Sequence, residues 1–287
     1  MARPPGPAPP DADGDVVRDP GDPRLAPFVG LRDGDRRVRR PPGTGSRGTD
    51  AFVTEGALLA RRALAAGHRP LAMLADVRAP GAVPPGLPPG VPVHRAEAGV
   101  LRAVTGLGVV REVVGLWARP PERTAAEVLG GARRVVVLEG VVNPVNLGGV
   151  IRTAAVLGAD ATLLAGGASD PLYRRAVRGS MGATLVHPWA RLPGLPAGLT
   201  PLRAAGFRVL ALTPAPDAVP VDALGPGEGE RRALLLGAEG AGLTPDALAA
   251  ADVRVRIPMV PGADSLNVAA AAAIAIHVLL RGGAEEG

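Results

Sequence analysis

Leu138–Asp160 reads LEGVVNPVNLGGVIRTAAVLGAD, and in it Asn143, Asn146, Gly148, Gly149 and Arg152 crowd into one short span. The apolar run Val135–Leu138 leads into it, and the spacing predicts a helix over Leu147–Leu157, so the span is a strand-to-helix junction. Glycines at a helix start let backbone come close to a ligand, and the positive end of the helix dipole favours anions. Arg152 projects beside that end, and its planar guanidinium suits bidentate contact with phosphate. A tight turn with Asn side chains bonding their own backbone accounts for this one junction equally well.

Working outward, strand and helix keep alternating. Further strands are expected at Ala161–Leu164, Thr184–Val186, Arg208–Leu212, Ala233–Leu236 and Val253–Ile257. Helices are expected at Leu172–Arg178, Leu199–Ala205, Pro245–Ala251 and Leu266–Arg281. The strand runs are apolar without alternation, as in a parallel sheet covered on both faces. This is an open α/β sheet, whose ligands bind beyond the carboxyl ends of the strands. Two more junctions stand out. LLLGAEGAGLTPDAL, Leu234–Leu248, sets glycines around Glu239 and offers Thr244 as a helix cap ahead of Pro245. VRVRIPMVPGADSLNVAA, Val253–Ala270, holds Asn267, with Ser265 or Asp264 available to cap the last helix.

Composition gives these junctions weight. The chain has 287 residues, net charge +5, 40 Gly, 32 Pro and no Cys; it contains no Lys and no Gln. Such skew reads as codon bias, so a disfavoured residue marks a requirement. Asn occurs three times, at Asn143, Asn146 and Asn267, all within two of the three junctions. Without Cys there is no disulfide and no thiolate nucleophile or ligand. Without Lys there is no P-loop and no Schiff base. His68, His94, His187 and His277 lack metal-ligand spacing, so no metal is expected. Ser180, in RGSMGA, lacks the frame of a nucleophile elbow. MARPPGPAPP has no signal-peptide core, and Leu266–Leu280 is shorter than the roughly 20 residues of a membrane span. A cytoplasmic protein without a membrane partner is expected.

The N-terminal part is a separate body. Residues 1–24 are mostly Pro, Gly and Asp with little apolar content and read as a disordered tail. Arg32–Arg47 holds six Arg against two Asp, a solvated loop or a phosphate-touching arm. A helix is expected over Glu55–Ala66 before Gly67, a strand at Leu71–Ala75, a loop over Ala79–Pro92, a weak helix at Glu97–Val104 and a strand at Val109–Ala118. Arg119-Pro120-Pro121 reads as the linker.

N-P-x-N-x-G-x-x-x-R at Asn143–Arg152, L-G-A-E-G at Leu236–Gly240 and I-P-M…S-L-N-V at Ile257–Val268 together resemble the three motifs of the SpoU (TrmH) family, in its order and spacing. These are S-adenosyl-L-methionine (AdoMet)-dependent RNA ribose 2′-O-methyltransferases of the SPOUT superfamily. The resemblance covers roughly Arg133–Arg281, and F-V-T-E-G at Phe52–Gly56 is more weakly similar to the family's ribosomal-protein-like substrate-binding domain. It implies a SPOUT α/β knot, a mostly parallel sheet with a deep C-terminal trefoil knot, behind a smaller N-terminal α/β domain. The implied domains are an RNA substrate-binding domain at 25–118, a linker and first helix at 119–132, and a methyltransferase domain at 133–287.

The resemblance also implies the site. AdoMet would lie against Gly237, Ile257 and Leu266 beside Leu212, Thr213, Met259 and Ser265, with Asn267 ordering the knot or a homodimer contact. Arg152 takes the activating role, oriented by Asn146, with Glu239 positioning either. An arginine is essentially never deprotonated in a protein, so Arg152 reads better as a clamp on the adjacent phosphate than as a base. Between Asp170 and Asp217 there is no acidic residue, and Arg174, Arg175 and Arg178 are spaced for one helical face, suited to reading RNA backbone. Ribosomal RNA is the expected substrate, because the N-terminal domain suits structured RNA. A tRNA methyltransferase, a non-catalytic RNA-binding assembly factor and a small-molecule α/β enzyme are the alternatives.

Overall fold

The computed structural model describes residues 16–31, 51–107, 111–227, 229–260, 262 and 265–280, so the Arg-rich segment and Asp264 lie outside the described residues. The chain divides into two units, Met1–Arg119 and Pro120–Gly287. The first runs β1 (Val16–Val17), a 3₁₀ turn (Pro23–Phe28), β2 (Ala51–Glu55), α1 (Ala57–Ala65), β3 (Pro70–Asp76), β4 (Val93–Ala96), α2 (Ala98–Thr105) and β5 (Val113–Ala118). Its sheet has the order β1-β4-β3-β5-β2.

Two expectations are corrected here. Residues 16–24 are not a disordered tail: β1 pairs in parallel with β4, and the 3₁₀ turn buries Leu25 and Phe28 completely. Two or three apolar side chains with a core to enter outweigh the polar composition around them. Glu55 ends a strand rather than starting a helix. Phe52, Val53 and Thr54 favour extended backbone, and the helix begins only after Gly56.

The second unit runs α3 (Ala125–Leu129), β6 (Arg134–Glu139), α4 (Pro144–Val156), β7 (Ala161–Ala165), α5 (Arg174–Gly179), β8 (Trp189–Arg191), α6 (Thr200–Ala204), β9 (Phe207–Leu212), β10 (Val219–Pro220), α7 (Val221–Leu224), β11 (Arg231–Leu236), α8 (Pro245–Ala249), β12 (Val253–Arg256) and α9 (Val268–Leu279). Its seven strands lie in the order β10-β12-β9-β11-β6-β7-β8, and every pairing is parallel.

The absence of alternation now has its cause. Val136, Leu138, Leu210 and Leu234 face a core with Leu147, Ile151, Ala272 and Ile276 of α4 and α9. Val135, Val137, Val209 and Leu235 face the other side, against Leu129 of α3, Leu202 of α6 and Ala247 of α8. Successive side chains alternate between two apolar layers, so both parities must be apolar.

The strand expected at Thr184–Val186 is a 3₁₀ turn, Ala183–Leu185, and the edge strand is β8. The β-branched letters mislead because local bonds win. Ser180 Oγ donates to the Val177 carbonyl at 3.0 Å and accepts from the backbone amides of Gly182 at 3.2 Å and Thr184 at 3.3 Å. This serine is spent on backbone, in keeping with its unsuitability as a nucleophile. His187 is buried next to the turn, shares a 3.0 Å hydrogen bond with Thr162 Oγ1, and is pushed down to about 4 by desolvation.

Candidate active site

Beyond the carboxyl ends of β12, β9 and β11, three adjacent strands, lies a cleft of about 370 Å³. Leu212 and Thr213 form one wall at the end of β9. Leu236, Gly237, Ala238 and Glu239 form a second, where β11 ends. Ile257, Met259, Ser265, Leu266 and Asn267 form the third, between β12 and α9. All eight residues assigned above to cofactor binding, drawn from three separate segments between Leu212 and Asn267, therefore border one cavity. Pro214, Ala238 and Ala271 also line it, but Pro and Ala are so common in this chain that nothing in the sequence marked them.

Gly237 is where the second wall requires glycine. A Cβ there would stand 2.1 Å from the Gly242 carbonyl carbon. The loop doubles back tightly, with the Gly242 amide donating to the Ala238 carbonyl at 2.9 Å. Beneath it, Glu139 at the end of β6 accepts from the Thr244 amide and from Thr244 Oγ1, both at 2.9 Å. Sequence reading passed over Glu139. Its signal was a carboxylate closing the apolar run RVVVLE at a position that is 5% exposed.

The three asparagines divide their work. Asn143 caps α4, its Oδ1 accepting from the Val145 amide at 2.9 Å. Asn267, and not Ser265, caps α9, accepting from the Ala269 amide at 2.9 Å. The side-chain oxygen of Asn267 is thereby committed, so its Nδ2 points outward and donates to Asn146 Oδ1 at 3.2 Å. Asn146 Nδ2 in turn donates to Glu239 Oε1. A carboxylate only accepts, so the whole Glu239–Asn146–Asn267 relay has one consistent polarity. Asn146, Glu239 and Asn267 are thus brought together at the lip of the cleft.

The arginines are not. Arg152 lies six residues along α4 from Asn146, exposed, not among the cleft-lining residues, and it forms no ion pair with a described residue. On α5, Arg175 and Arg178 are exposed, but Arg174 is half-buried, so the expected shared face is narrower than its spacing implies. Among the described residues there is no cluster of three His, Asp or Glu that could hold a metal. No described helix is long and apolar enough to cross a membrane.

The SpoU rRNA Methylase family matches residues 133–277, the span that contains the cleft and the relay. An uncharacterized tRNA/rRNA methyltransferase of Mycobacterium tuberculosis is 45% identical over 269 residues, 93% of this chain and 92% of that protein. The chain belongs to the SpoU family. It is therefore an RNA methyltransferase. Another SpoU-like relative, the 23S rRNA (guanosine(2553)-2'-O)-methyltransferase RlmP of Bacillus subtilis, is 30% identical over 80% of this chain and 89% of its own length. Among solved structures, the AdoMet-bound rRNA methyltransferase of Sinorhizobium meliloti superposes with a TM-score of 0.72 at 25% identity, covering 91% of this chain and 95% of that one. The SpoU match begins at Arg133, and the β1–β5 unit lies before it.

Proposed function

We propose that this chain transfers the methyl group of AdoMet to a ribose 2′-hydroxyl of ribosomal RNA. The observation that carries the reading is the cleft itself, bordered by all eight expected cofactor residues with the Glu239–Asn146–Asn267 relay at its lip. Support for the methyl donor comes from the AdoMet-bound Sinorhizobium structure, and for ribose and ribosomal RNA from the name of RlmP.

The residues present fit AdoMet. Apolar walls from Leu212, Ile257 and Leu266, with strand-end backbone groups among them, suit an adenosine. When bound, AdoMet supplies a sulfonium-activated methyl group. Arg152 would hold the phosphate next to the target ribose, and its fixed charge lowers the pKa of the 2′-hydroxyl and orients its oxygen. The hydroxyl proton leaves to a phosphate oxygen or water, since the guanidinium stays charged. Asn146, held between Glu239 and Asn267, fixes the start of the helix that carries Arg152.

A homodimer and a knotted C-terminal segment belong to the same reading. For the dimer, Val145 and Val156 on α4 and Ile274 on α9 are exposed apolar side chains. For the knot, the segment leading into α9 lines the cleft, and Asn267 meets Asn146 across 121 residues.

Arg152→Ala should lower turnover by about a hundredfold or more while AdoMet affinity stays within about twofold. Calorimetric titration and methylation of unmodified ribosomal RNA measure the two. Methylation retained by Arg152→Ala would remove the phosphate-clamp assignment.

A further inference from the structure

We infer that Glu139, outside the three motifs and not in the cleft, is a positioning residue that holds the second wall of the cleft in its binding shape through Thr244. This rests on the reading of the cleft as the AdoMet site. Glu139 ends β6, a central strand; it pairs with Ala165 of β7, and the pairing with β11 runs up to its neighbour Leu138. Its side chain passes under Gly166, where a Cβ would come within 3.1 Å of the Glu139 Cγ, and reaches the chain entering α8. There its two carboxylate oxygens each take one hydrogen bond from Thr244, one from the backbone amide and one from the hydroxyl.

Thr244 is the residue at which the wall loop rejoins the body. The loop leaves β11 at Leu236, folds on itself between Ala238 and Gly242, and returns at Leu243, which is buried. Gly237, Ala238, Glu239, Gly240 and Gly242 of this loop line the cleft, and Glu239 carries the bond to Asn146. A glycine-rich loop has little stiffness of its own. The doubly accepted bond to a buried carboxylate supplies it, because a charged acceptor makes the stronger hydrogen bond and carboxamide replacement removes that charge.

Thr244 has a third bond, from the Ala247 amide to Thr244 Oγ1 at 3.2 Å, so the same hydroxyl caps α8 and donates to Glu139. Losing Glu139 therefore frees the loop's end without removing the α8 cap, whereas losing the Thr244 hydroxyl removes the cap and one of the two bonds to Glu139.

The test uses the full chain with Glu139→Gln, Thr244→Val, Thr244→Ser and the double variant Glu139→Gln/Thr244→Val. AdoMet affinity is read by calorimetry, kcat and KM for RNA by steady-state methylation, and amide exchange at Ala238–Leu243 by mass spectrometry. Glu139→Gln is expected to weaken AdoMet binding about tenfold and speed loop exchange in the free protein, with KM for RNA unchanged. Thr244→Val, which keeps the amide bond to Glu139 but loses the hydroxyl bond and the α8 cap, should weaken AdoMet binding and also lower Tm; the double variant should bind AdoMet no worse than the weaker-binding single, and Thr244→Ser should restore wild-type affinity. A lowered Tm with AdoMet affinity within twofold of wild type, or losses that add in the double variant, would overturn the positioning role. Failure of the wild-type chain itself to bind AdoMet would overturn the reading of the cleft, and the positioning role with it.

Discussion

Scarcity marked Asn143, Asn146 and Asn267 together and the motif resemblance gave roles to Asn146 and Asn267, but the structure is what shows the bonds each makes. Two cap helices through their side-chain oxygens, and the third bridges a carboxylate and an amide from chain segments far apart in sequence. Scarcity could mark all three as required, but an N-cap and a site residue look alike until long-range partners are known. The distinction has a measurable consequence. Asn143→Ala should cost about 1 kcal/mol of stability in denaturant unfolding and leave turnover nearly intact, as loss of a helix cap does. Asn146→Asp, nearly isosteric, sets a carboxylate against that of Glu239 and should cut turnover about a hundredfold with a smaller stability change. Equal effects of the two variants on turnover would contradict the division. Glu139 shows the opposite failing: glutamate is common in this chain, and nothing but its place at the end of an apolar strand sets it apart.

At the scale of elements, every helix expected after Arg119 is present, with shifted ends, and the parallel sheet follows from apolar runs without alternation. What composition could not reach was the two- and three-residue strands, β10 and β8, which are set by edge pairing to β12 and β7 rather than by propensity. The expected strand at Thr184–Val186 failed for the reason already given, a serine whose local bonds outbid β-branched letters. Helix packing explains one glycine that the sequence reading had assigned to ligand approach. A Cβ on Gly148 would stand 2.5 Å from the Ala176 carbonyl oxygen and 3.0 Å from the Ser180 amide, so this glycine lets α4 and α5 touch. Gly148→Ala should therefore destabilise the fold by about 2 kcal/mol in urea unfolding, the range of overpacking against backbone. A neutral or stabilising Gly148→Ala would show that the two helices can part without cost.

Over the whole molecule, charge reads differently in space and in sequence. The stretch between Asp170 and Asp217 has no acid, but the fold brings acids to it. Arg191 lies 3.6 Å from Glu122 and 3.7 Å from Asp170, and Arg208 lies 3.3 Å from Glu230. Arg203 donates to the Ala250 carbonyl instead. Exposed Arg175 forms no ion pair with a described residue, which makes it the best place to test RNA contact on α5. Arg175→Glu should weaken RNA binding and flatten the plot of log affinity against log salt by about one unit, with AdoMet affinity unchanged; an unaltered slope would take α5 out of the interface. The central claim remains the reaction. The purified chain, AdoMet and total RNA from a strain lacking the enzyme should yield a new alkali-resistant 2′-O-methylated position in ribosomal RNA by site mapping. Methyl groups found only on bases, or only on tRNA, or no transfer at all, would contradict it.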